Sequence, residues 1–176
     1  MSFRERLRRA LPYLFTLVGG GVYAVLLARG GVGYSSENRP MPRLTASRLD
    51  DGQAVSEATF RGQPLILNVW APSCAPCRHE LPSIDKLAAE YQGKVQFLGL
   101  VSFGTNAEAR EILRSGGLSH LPELAGGQDF LDTLEVDSVP TTFFIRADGT
   151  IAGRQVGMRG EGFFRDKANA LLAGKL

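Results

Sequence analysis

Two cysteines separated by two residues follow directly after a short apolar run, and this arrangement limits the possible folds more than any other feature of the chain. Cys74 and Cys77 are the only cysteines, and the run Leu65–Trp70 has the length and composition of a buried strand. A Cys-x-x-Cys pair at the point where a strand gives way to a helix is typical of a redox site. Amide donors and the helix dipole stabilise a thiolate there, and the thiolate is the form that attacks disulfides.

The spacing predicts different roles for the two thiols. Cys74, at the start of the helix, is the candidate nucleophile. Cys77 lies about one helical turn further on, near enough to attack a mixed disulfide, and is the candidate resolving thiol. Pro76 between them suits a helix start and also affects how readily the disulfide is reduced. The redox-active disulfide is then the only redox group needed, and we expect no other cofactor.

Three other interpretations of the pair are less favourable. Structural zinc needs four ligands, and only His79 and His120 are available besides the cysteines, so we expect no metal. Covalent haem attachment requires Cys-x-x-Cys-His, and His79 stands one position too late. A purely structural disulfide over so short a loop would remove little entropy from the unfolded chain. Both histidines are expected to be solvated.

Hydrophobic spacing predicts an α/β domain after the cysteines. Apolar residues recur at helical spacing over 78–91, through Pro82, and the run 95–102 has strand length. Thr105 and Glu108 form a capping box that opens a second helix. A short helix is predicted over 130–134, a hairpin of two strands over 139–145 and 151–156, and a last helix over 163–172. An extra hairpin or extended segment is predicted within 43–63. This order indicates an α/β sandwich with a mixed sheet.

Taken together, four motifs make the chain resemble the thioredoxin-like reductases of the TlpA/ResA type. They are Asn-Val-Trp-Ala-Pro just before the cysteines, Glu-Leu-Pro at 80–82, Val-Pro-Thr-Thr-Phe at 139–143 and Asp-Gly-Thr-Ile at 148–151. The likeness begins near Met41 and continues to the C-terminus. It implies a thioredoxin-like three-layer sandwich with a central mixed β-sheet, over residues 43–176.

The resemblance also implies site residues beyond the cysteines. Pro140 is expected to be cis, to pack against the redox pair and to turn the main chain of Val139 toward a substrate peptide. Glu80 matches an acidic residue that the family carries close to the redox site. It can relay a proton to or from Cys77 if burial raises its pKa toward the working pH, although a glutamate in the first turns of a helix also simply favours the dipole. Trp70 and Pro76 are further candidates for substrate contact, and Trp70 can equally be a core aromatic or lie beneath the site.

Two positions depart from relatives. Asn68 stands where thioredoxins carry a buried aspartate, and since an amide cannot ionise, a buried acid-base role would pass to Glu80. Ser73 stands where most relatives have tryptophan before the first cysteine, so the docking surface loses apolar contact there.

The N-terminal part predicts a membrane anchor. Residues 1–10 hold four arginines and one glutamate, which account for the positive net charge, and 11–28 contain no charged residue. Eighteen helical residues span about 27 Å, enough for a bilayer core. The arginines predict that the N-terminal end stays in the cytoplasm and that the domain lies outside. The composition of residues 29–42 predicts a linker between the membrane segment and the domain. A cleaved signal peptide is the competing interpretation.

These features predict a single-pass protein of the bacterial inner membrane, with its catalytic domain in the periplasm or outside the cell. The expected activity is thiol-disulfide exchange, with reduction of protein disulfides as the favoured direction. The resemblance implies apocytochrome c or copper-site proteins as substrates and a membrane electron-donor protein as the source of electrons; no nucleic acid is expected. A disulfide-donating oxidase, a Cu(I)-binding assembly chaperone and a pure docking protein are the alternatives.

Overall fold

An eight-stranded sheet forms the centre of the computed structural model, which describes residues 33–176. The strands are β1 (Gly33–Pro40), β2 (Ala46–Arg48), β3 (Ala54–Val55), β4 (Leu65–Trp70), β5 (Gln96–Val101), β6 (Glu123–Ala125), β7 (Thr141–Ile145) and β8 (Thr150–Val156). The helices are α1 (Ala75–Glu90), α2 (Asn106–Ser115), α3 (Gln128–Thr133) and α4 (Glu161–Leu172), and a 3₁₀ turn spans Glu57–Phe60.

The strand order places four chain segments at one edge of the sheet. The order is β1-β8-β7-β4-β5-β6-β2-β3, and β4, β5 and β6 run parallel to each other while every other neighbouring pair is antiparallel. The C-terminal ends of β4, β5 and β8 therefore lie at the same edge as the N-terminal end of β7. The loops after Trp70, Val101 and Val156 and the loop before Thr141 meet there.

Each face of the sheet has its own apolar core, because side chains alternate along the strands. On one face, β4, β5 and β7 pack against α1 and α4 through residues such as Ile66, Trp70, Phe97, Phe144, Leu81, Ile84, Leu87, Phe164 and Ala168. On the other face, the same strands pack against α3 through residues such as Leu67, Val69, Leu98, Leu100, Phe143, Phe130 and Leu131. Burying each such leucine or phenylalanine contributes about 1.5–3 kcal/mol.

The elements predicted around the cysteines are confirmed. Strand β4 covers the predicted run, α1 continues through Pro82, and α2 begins at a complete capping box between Thr105 and Glu108. The thioredoxin-like α/β architecture with a central mixed sheet is present. The predicted hairpin within 43–63 is formed by β2 and β3, which extend the sheet beside β6.

The predicted linker 29–42 is wrong over much of its length, because residues 33–40 form β1 at an edge of the sheet. Its glycine, serine and asparagine content favours a loop by composition alone. An edge strand, however, needs only one partner, and β8 supplies it. The Tyr34 ring secures β1, because it packs against Phe144 with centroids 6.0 Å apart and carries Lys167 Nζ at 3.3 Å above it.

Strand β6 was not predicted, since three residues after a proline give no periodicity. The predicted basic end 1–10 and membrane segment 11–28 lie outside the described residues. Within 33–176, none of the helices combines the length and apolar character that a membrane crossing requires.

Candidate active site

The two cysteines form a disulfide at the N-terminus of α1, with sulfur atoms 2.04 Å apart. Cys74 is the N-cap residue, and the main-chain N–H of Cys77 donates to its sulfur at 3.2 Å. The same donor is available to a Cys74 thiolate, so this helix start favours the ionised form. Cys77 is 1% exposed, whereas Cys74 is half-buried. A sulfur atom of another protein therefore reaches Cys74 first.

The segment before β7 borders the Cys74 sulfur. The Val139–Pro140 peptide bond is cis, as the resemblance implies, and the Val139 carbonyl oxygen lies 3.7 Å from Cys74 Sγ. The Pro140 carbonyl accepts a hydrogen bond of 2.9 Å from the Gly157 N–H, which ties this segment to the end of β8. Pro140 is buried and Val139 half-buried. Contact between Val139 and a substrate peptide stays a prediction that fits this position.

Glu80 is a buried carboxyl group one helical turn after Cys77. Its Oε1 accepts a hydrogen bond of 2.8 Å from Asn68 Nδ2, and its Oε2 accepts one of 2.7 Å from the main-chain N–H of Arg159. Asn68 Nδ2 also donates to Thr142 Oγ1 at 2.9 Å. Burial raises the pKa of Glu80 to about 7, although both donors oppose this shift. A group with such a pKa can accept or release a proton near neutral pH.

Trp70 does not face solvent, which corrects its placement among the substrate-contacting residues. Its side chain is fully buried in the same core cluster as Cys77 and Leu81. Its indole N–H donates a hydrogen bond of 2.8 Å to Glu123 Oε2. Trp70 therefore belongs to the buried layer beneath the redox pair. It is the last residue of β4, and the segment leading to Cys74 begins directly after it.

Two exposed apolar side chains flank this edge of the sheet. Phe103 is 51% exposed, and it stands between Ser102, whose N–H donates to the Trp70 carbonyl at 2.9 Å, and Gly104, which abuts Pro72. Met158 is 48% exposed on the opposite side, in the loop after β8. Its neighbours Gly157 and Arg159 make the main-chain hydrogen bonds described above. Ser73 and Pro76 are exposed between these two side chains along the edge. The strand order therefore brings two exposed apolar side chains to the edge of the sheet at which Cys74 lies.

The histidines lie away from any metal-binding arrangement. The His120 ring is 3.1 Å from Asp85 Oδ2, and Asp85 Oδ1 also accepts hydrogen bonds from the N–H groups of His120 and Leu121 at 2.7 and 2.8 Å. Asp85 thus anchors the loop before β6 to α1. Within the part of the chain that the structure describes, no three histidine, cysteine or acidic side chains converge on a position for a metal ion.

A family model described as Redoxin matches residues 36–172. The chain belongs to the Redoxin family. Among curated relatives, it is 31% identical over 156 residues to the thiol:disulfide interchange protein DsbE of Vibrio cholerae, covering 84% of this chain and 83% of that protein. It is 27% identical over 108 residues to the thiol-disulfide oxidoreductase ResA of Bacillus thuringiensis, and this match spans 61% of the chain and only 62% of ResA.

Solved structures share the fold of this Redoxin family member. A thiol:disulfide interchange protein from Chlorobium tepidum superimposes with a TM-score of 0.68 at 23% identity, over 78% of this chain and 99% of that protein. A DsbF homologue from Corynebacterium diphtheriae gives a TM-score of 0.71 at 19% identity, over 80% and 94% of the two chains. At these identities the likeness supports the thioredoxin-like fold alone.

Several residues of this site carried no usable sequence signal. Arg159 holds Glu80 through its main-chain N–H, a donor that almost any residue type would supply, so the hydrogen bond could not be predicted from the identity of the residue. Phe103 and Met158 are single apolar residues in loops, and only the strand order brings them to one edge. Glu123 lay in an unpredicted strand. Phe103 directly follows the predicted strand 95–102 and Met158 comes two positions after the predicted strand 151–156, but single exposed apolar residues are too common to indicate a site.

Proposed function

We propose that this Redoxin family member is an extracytoplasmic thiol-disulfide oxidoreductase that reduces disulfides in selected proteins. The observation that carries this proposal is the half-buried sulfur of Cys74, which is bonded to a buried Cys77 at the start of α1 and bordered by the Val139 carbonyl. The names of its relatives DsbE and ResA agree with exchange chemistry. Residues 11–28 would hold the domain at the membrane.

In the proposed reaction, the Cys74 thiolate attacks one sulfur of a substrate disulfide. The substrate S–S bond breaks, a mixed disulfide forms, and the other substrate sulfur leaves as a thiolate. The Cys77 thiolate then attacks Cys74 Sγ, which expels the second substrate thiolate and forms the disulfide seen here. The substrate gains two electrons and the cysteine pair loses two. A dithiol protein in the membrane must then reduce the pair again.

Glu80 would handle the proton of Cys77. As the neutral thiol of Cys77 becomes a nucleophile, its proton needs an acceptor in a region that excludes water. Glu80 follows Cys77 by one helical turn, and its pKa of about 7 suits this exchange. Asn68 and the Arg159 N–H hold the carboxyl group in place.

The edge surface formed by Phe103, Ser73, Pro76 and Met158 would bind the polypeptide around the substrate disulfide. An unfolded segment exposes both its cysteines and its apolar side chains, so the exposed side chains of Phe103 and Met158 at this edge suit such a substrate. Apocytochrome c or a copper-site assembly protein is the substrate class that we propose from the resemblance. Val139 would align the substrate main chain next to Cys74.

The direction of electron flow is tested by the equilibrium potential of the Cys74–Cys77 pair in glutathione buffers. A value below about −220 mV supports a reductase, whereas a value above about −150 mV means that the protein donates disulfides. Substrates are identified by expressing Cys77→Ala in the native host and isolating its mixed disulfides. Equal trapping by Cys74→Ala would contradict the assignment of the attacking thiol.

A further inference from the structure

A row of four polar residues and one glycine crosses the sheet. The registers of neighbouring strands place five residues opposite one another in sequence across the sheet: Gln155, Thr142, Asn68, Gly99 and Glu123. The row begins in β8 and ends in β6. Asn68 at its centre holds Glu80, whose role is described above. The proton-transfer role of Glu80 does not explain why the row ends in a second buried glutamate, Glu123.

Glu123 is buried where its carboxyl group has only one hydrogen-bond partner. The residue is 8% exposed, and its carboxyl lies over Gly99, where a Cβ atom would overlap it. Its Oε2 accepts the indole N–H of Trp70, while its Oε1 has no hydrogen-bond partner in residues 33–176. Burial raises the pKa of Glu123 to about 8, and the nearby Asp85 acts in the same direction.

Stability alone does not account for a glutamate at this position. Leaving a buried polar atom without a partner costs about 1–3 kcal/mol. An apolar pair in place of Trp70 and Glu123 would fill the same space without that cost. Within residues 33–176, the one hydrogen bond that the carboxyl makes is to the Trp70 indole, so its directional effect on the surrounding structure is exerted through Trp70.

Trp70 connects this hydrogen bond to the redox pair. Trp70 is the last residue of β4, and its main-chain carbonyl accepts hydrogen bonds from the Ser102 N–H at 2.9 Å and the Ser102 hydroxyl at 3.1 Å. The Cys74 N–H donates to the Ala71 carbonyl at 3.0 Å, so the turn that carries Cys74 starts at the residue after Trp70. The indole and Cys77 belong to the same buried cluster.

We propose that Glu123 is a positioning residue of the redox site, which fixes the end of β4 through its hydrogen bond to the Trp70 indole and thereby favours the closed Cys74–Cys77 disulfide. This inference rests on the proposed exchange activity. Without the hydrogen bond, the end of β4 and the following turn gain freedom. The two sulfur atoms then meet less often, and the equilibrium with glutathione moves toward the dithiol.

The test compares three variants of the full chain. Glu123→Gln keeps an acceptor for the indole, whereas Glu123→Met keeps the unbranched length but offers only a weakly accepting thioether. Gly99→Ala leaves Glu123 intact and displaces its carboxyl by steric overlap. Glu111→Gln, on the exposed surface of α2, is the control. Trp70 is the only tryptophan, so its fluorescence reports the hydrogen bond directly.

A hydrogen bond that is made in the oxidised protein and weakened in the dithiol form shifts their equilibrium constant by up to about tenfold. We expect Glu123→Met and Gly99→Ala to move the glutathione equilibrium about tenfold toward the dithiol and to change Trp70 fluorescence. Glu123→Gln should retain most of the wild-type equilibrium, and Glu111→Gln all of it. The double variant Gly99→Ala/Glu123→Met should shift the glutathione equilibrium little more than either single variant does, because both substitutions remove the same hydrogen bond.

Two outcomes overturn the inference in distinguishable ways. If Glu123→Met alters Trp70 fluorescence while the glutathione equilibrium stays as in the wild type, Glu123 is a packing residue. If the wild-type cysteines do not exchange with glutathione at all, the proposed function itself fails, and the redox role of Glu123 fails with it. The fluorescence difference between Gln and Met at position 123 would still be measured in that case.

Discussion

The side-chain amide of Asn68 donates a hydrogen bond of 2.8 Å to the carboxyl group of Glu80. The two residues belong to different elements, β4 and α1, and both are buried. Asn68 stands where thioredoxins carry an aspartate, and a second carboxylate there would repel Glu80. The amide N–H can instead donate to Glu80 in either protonation state, and it binds the carboxylate more strongly, which limits how far burial raises the pKa of Glu80.

Glu80→Gln should remove a pH-dependent step from disulfide reduction. Glutamine keeps the size of the side chain but cannot carry a proton to or from Cys77. We expect reduction of an insulin-like protein disulfide to slow about a hundredfold at pH 7, which is the lower end of the range for general acid-base catalysis. The change of rate near pH 7 should also be lost, since the pKa of Glu80 is about 7.

Glu90→Gln is the matched control for this experiment, because Glu90 lies on the same helix but pairs with Arg165 at the surface. Its rates and pH profile should equal those of the wild type. A Glu80→Gln variant that keeps the wild-type pH profile would rule out proton transfer by Glu80.

The oxidised protein should lose stability as the pH rises from about 4.5 to about 8. Burial raises the pKa values of Glu80 and Glu123 to about 7 and about 8, above the value of 4.5 for an exposed glutamate. In this window the folded chain holds protons that the unfolded chain has released. Each carboxyl therefore lowers the free energy of unfolding by up to about 1.4 kcal/mol per pH unit, until its folded-state pKa is passed.

Urea unfolding at pH 5, 7 and 9 measures this effect. Surface carboxylates that are stabilised by cations, such as Glu161, act in the opposite direction at acid pH and are common to all variants. The difference between the wild type and Glu80→Gln or Glu123→Gln isolates each buried group. An equal pH slope in the wild type and both variants would show that these carboxyls are ionised in the folded protein.

Phe103→Ser and Met158→Ser should weaken binding of protein substrates without changing the chemistry at Cys74. Losing contact with a half-exposed apolar side chain costs about 1 kcal/mol, which corresponds to about a fivefold increase in KM. Reduction of a small disulfide such as oxidised glutathione should continue at the wild-type rate, because it does not reach the edge surface. Steady-state kinetics with both substrates separate the two effects.

Leu172→Ser provides the control, since Leu172 is 46% exposed but lies at the end of α4. It should leave both KM values unchanged. If Phe103→Ser slows both substrates equally, the side chain supports the redox pair itself and the edge surface does not bind substrate.

Asp85→Ala should destabilise the fold by about 2 kcal/mol. The carboxylate accepts two buried or partly buried main-chain N–H groups, of His120 and Leu121, and their loss leaves both donors without a partner. Glu111→Ala removes an exposed ion pair with Arg114 and should leave the free energy of unfolding nearly unchanged. Chemical unfolding at pH 7 compares the two. Equal losses would mean that the loop before β6 does not depend on α1.

The chain's local pattern predicted the centre of the fold correctly. Strand β4 and helix α1 follow from short-range periodicity, and the capping box of α2 follows from two residues three positions apart. These signals are local, so neighbouring residues suffice to interpret them. The position of Cys74 as the N-cap of α1 was predictable for the same reason.

The sequence by itself determined where the thiols lie and which segments form the central strands and helices, because these depend on chemistry and periodicity within a few turns. Tertiary structure decided that 33–40 becomes an edge strand, that the end of β8 delivers the Arg159 N–H to Glu80, and that Glu123 reaches Trp70 over Gly99. Each of these contacts joins residues far apart in the chain. The physical reason is that strand order and burial, which set both the neighbours and the pKa values of these groups, are properties of the packed sheet.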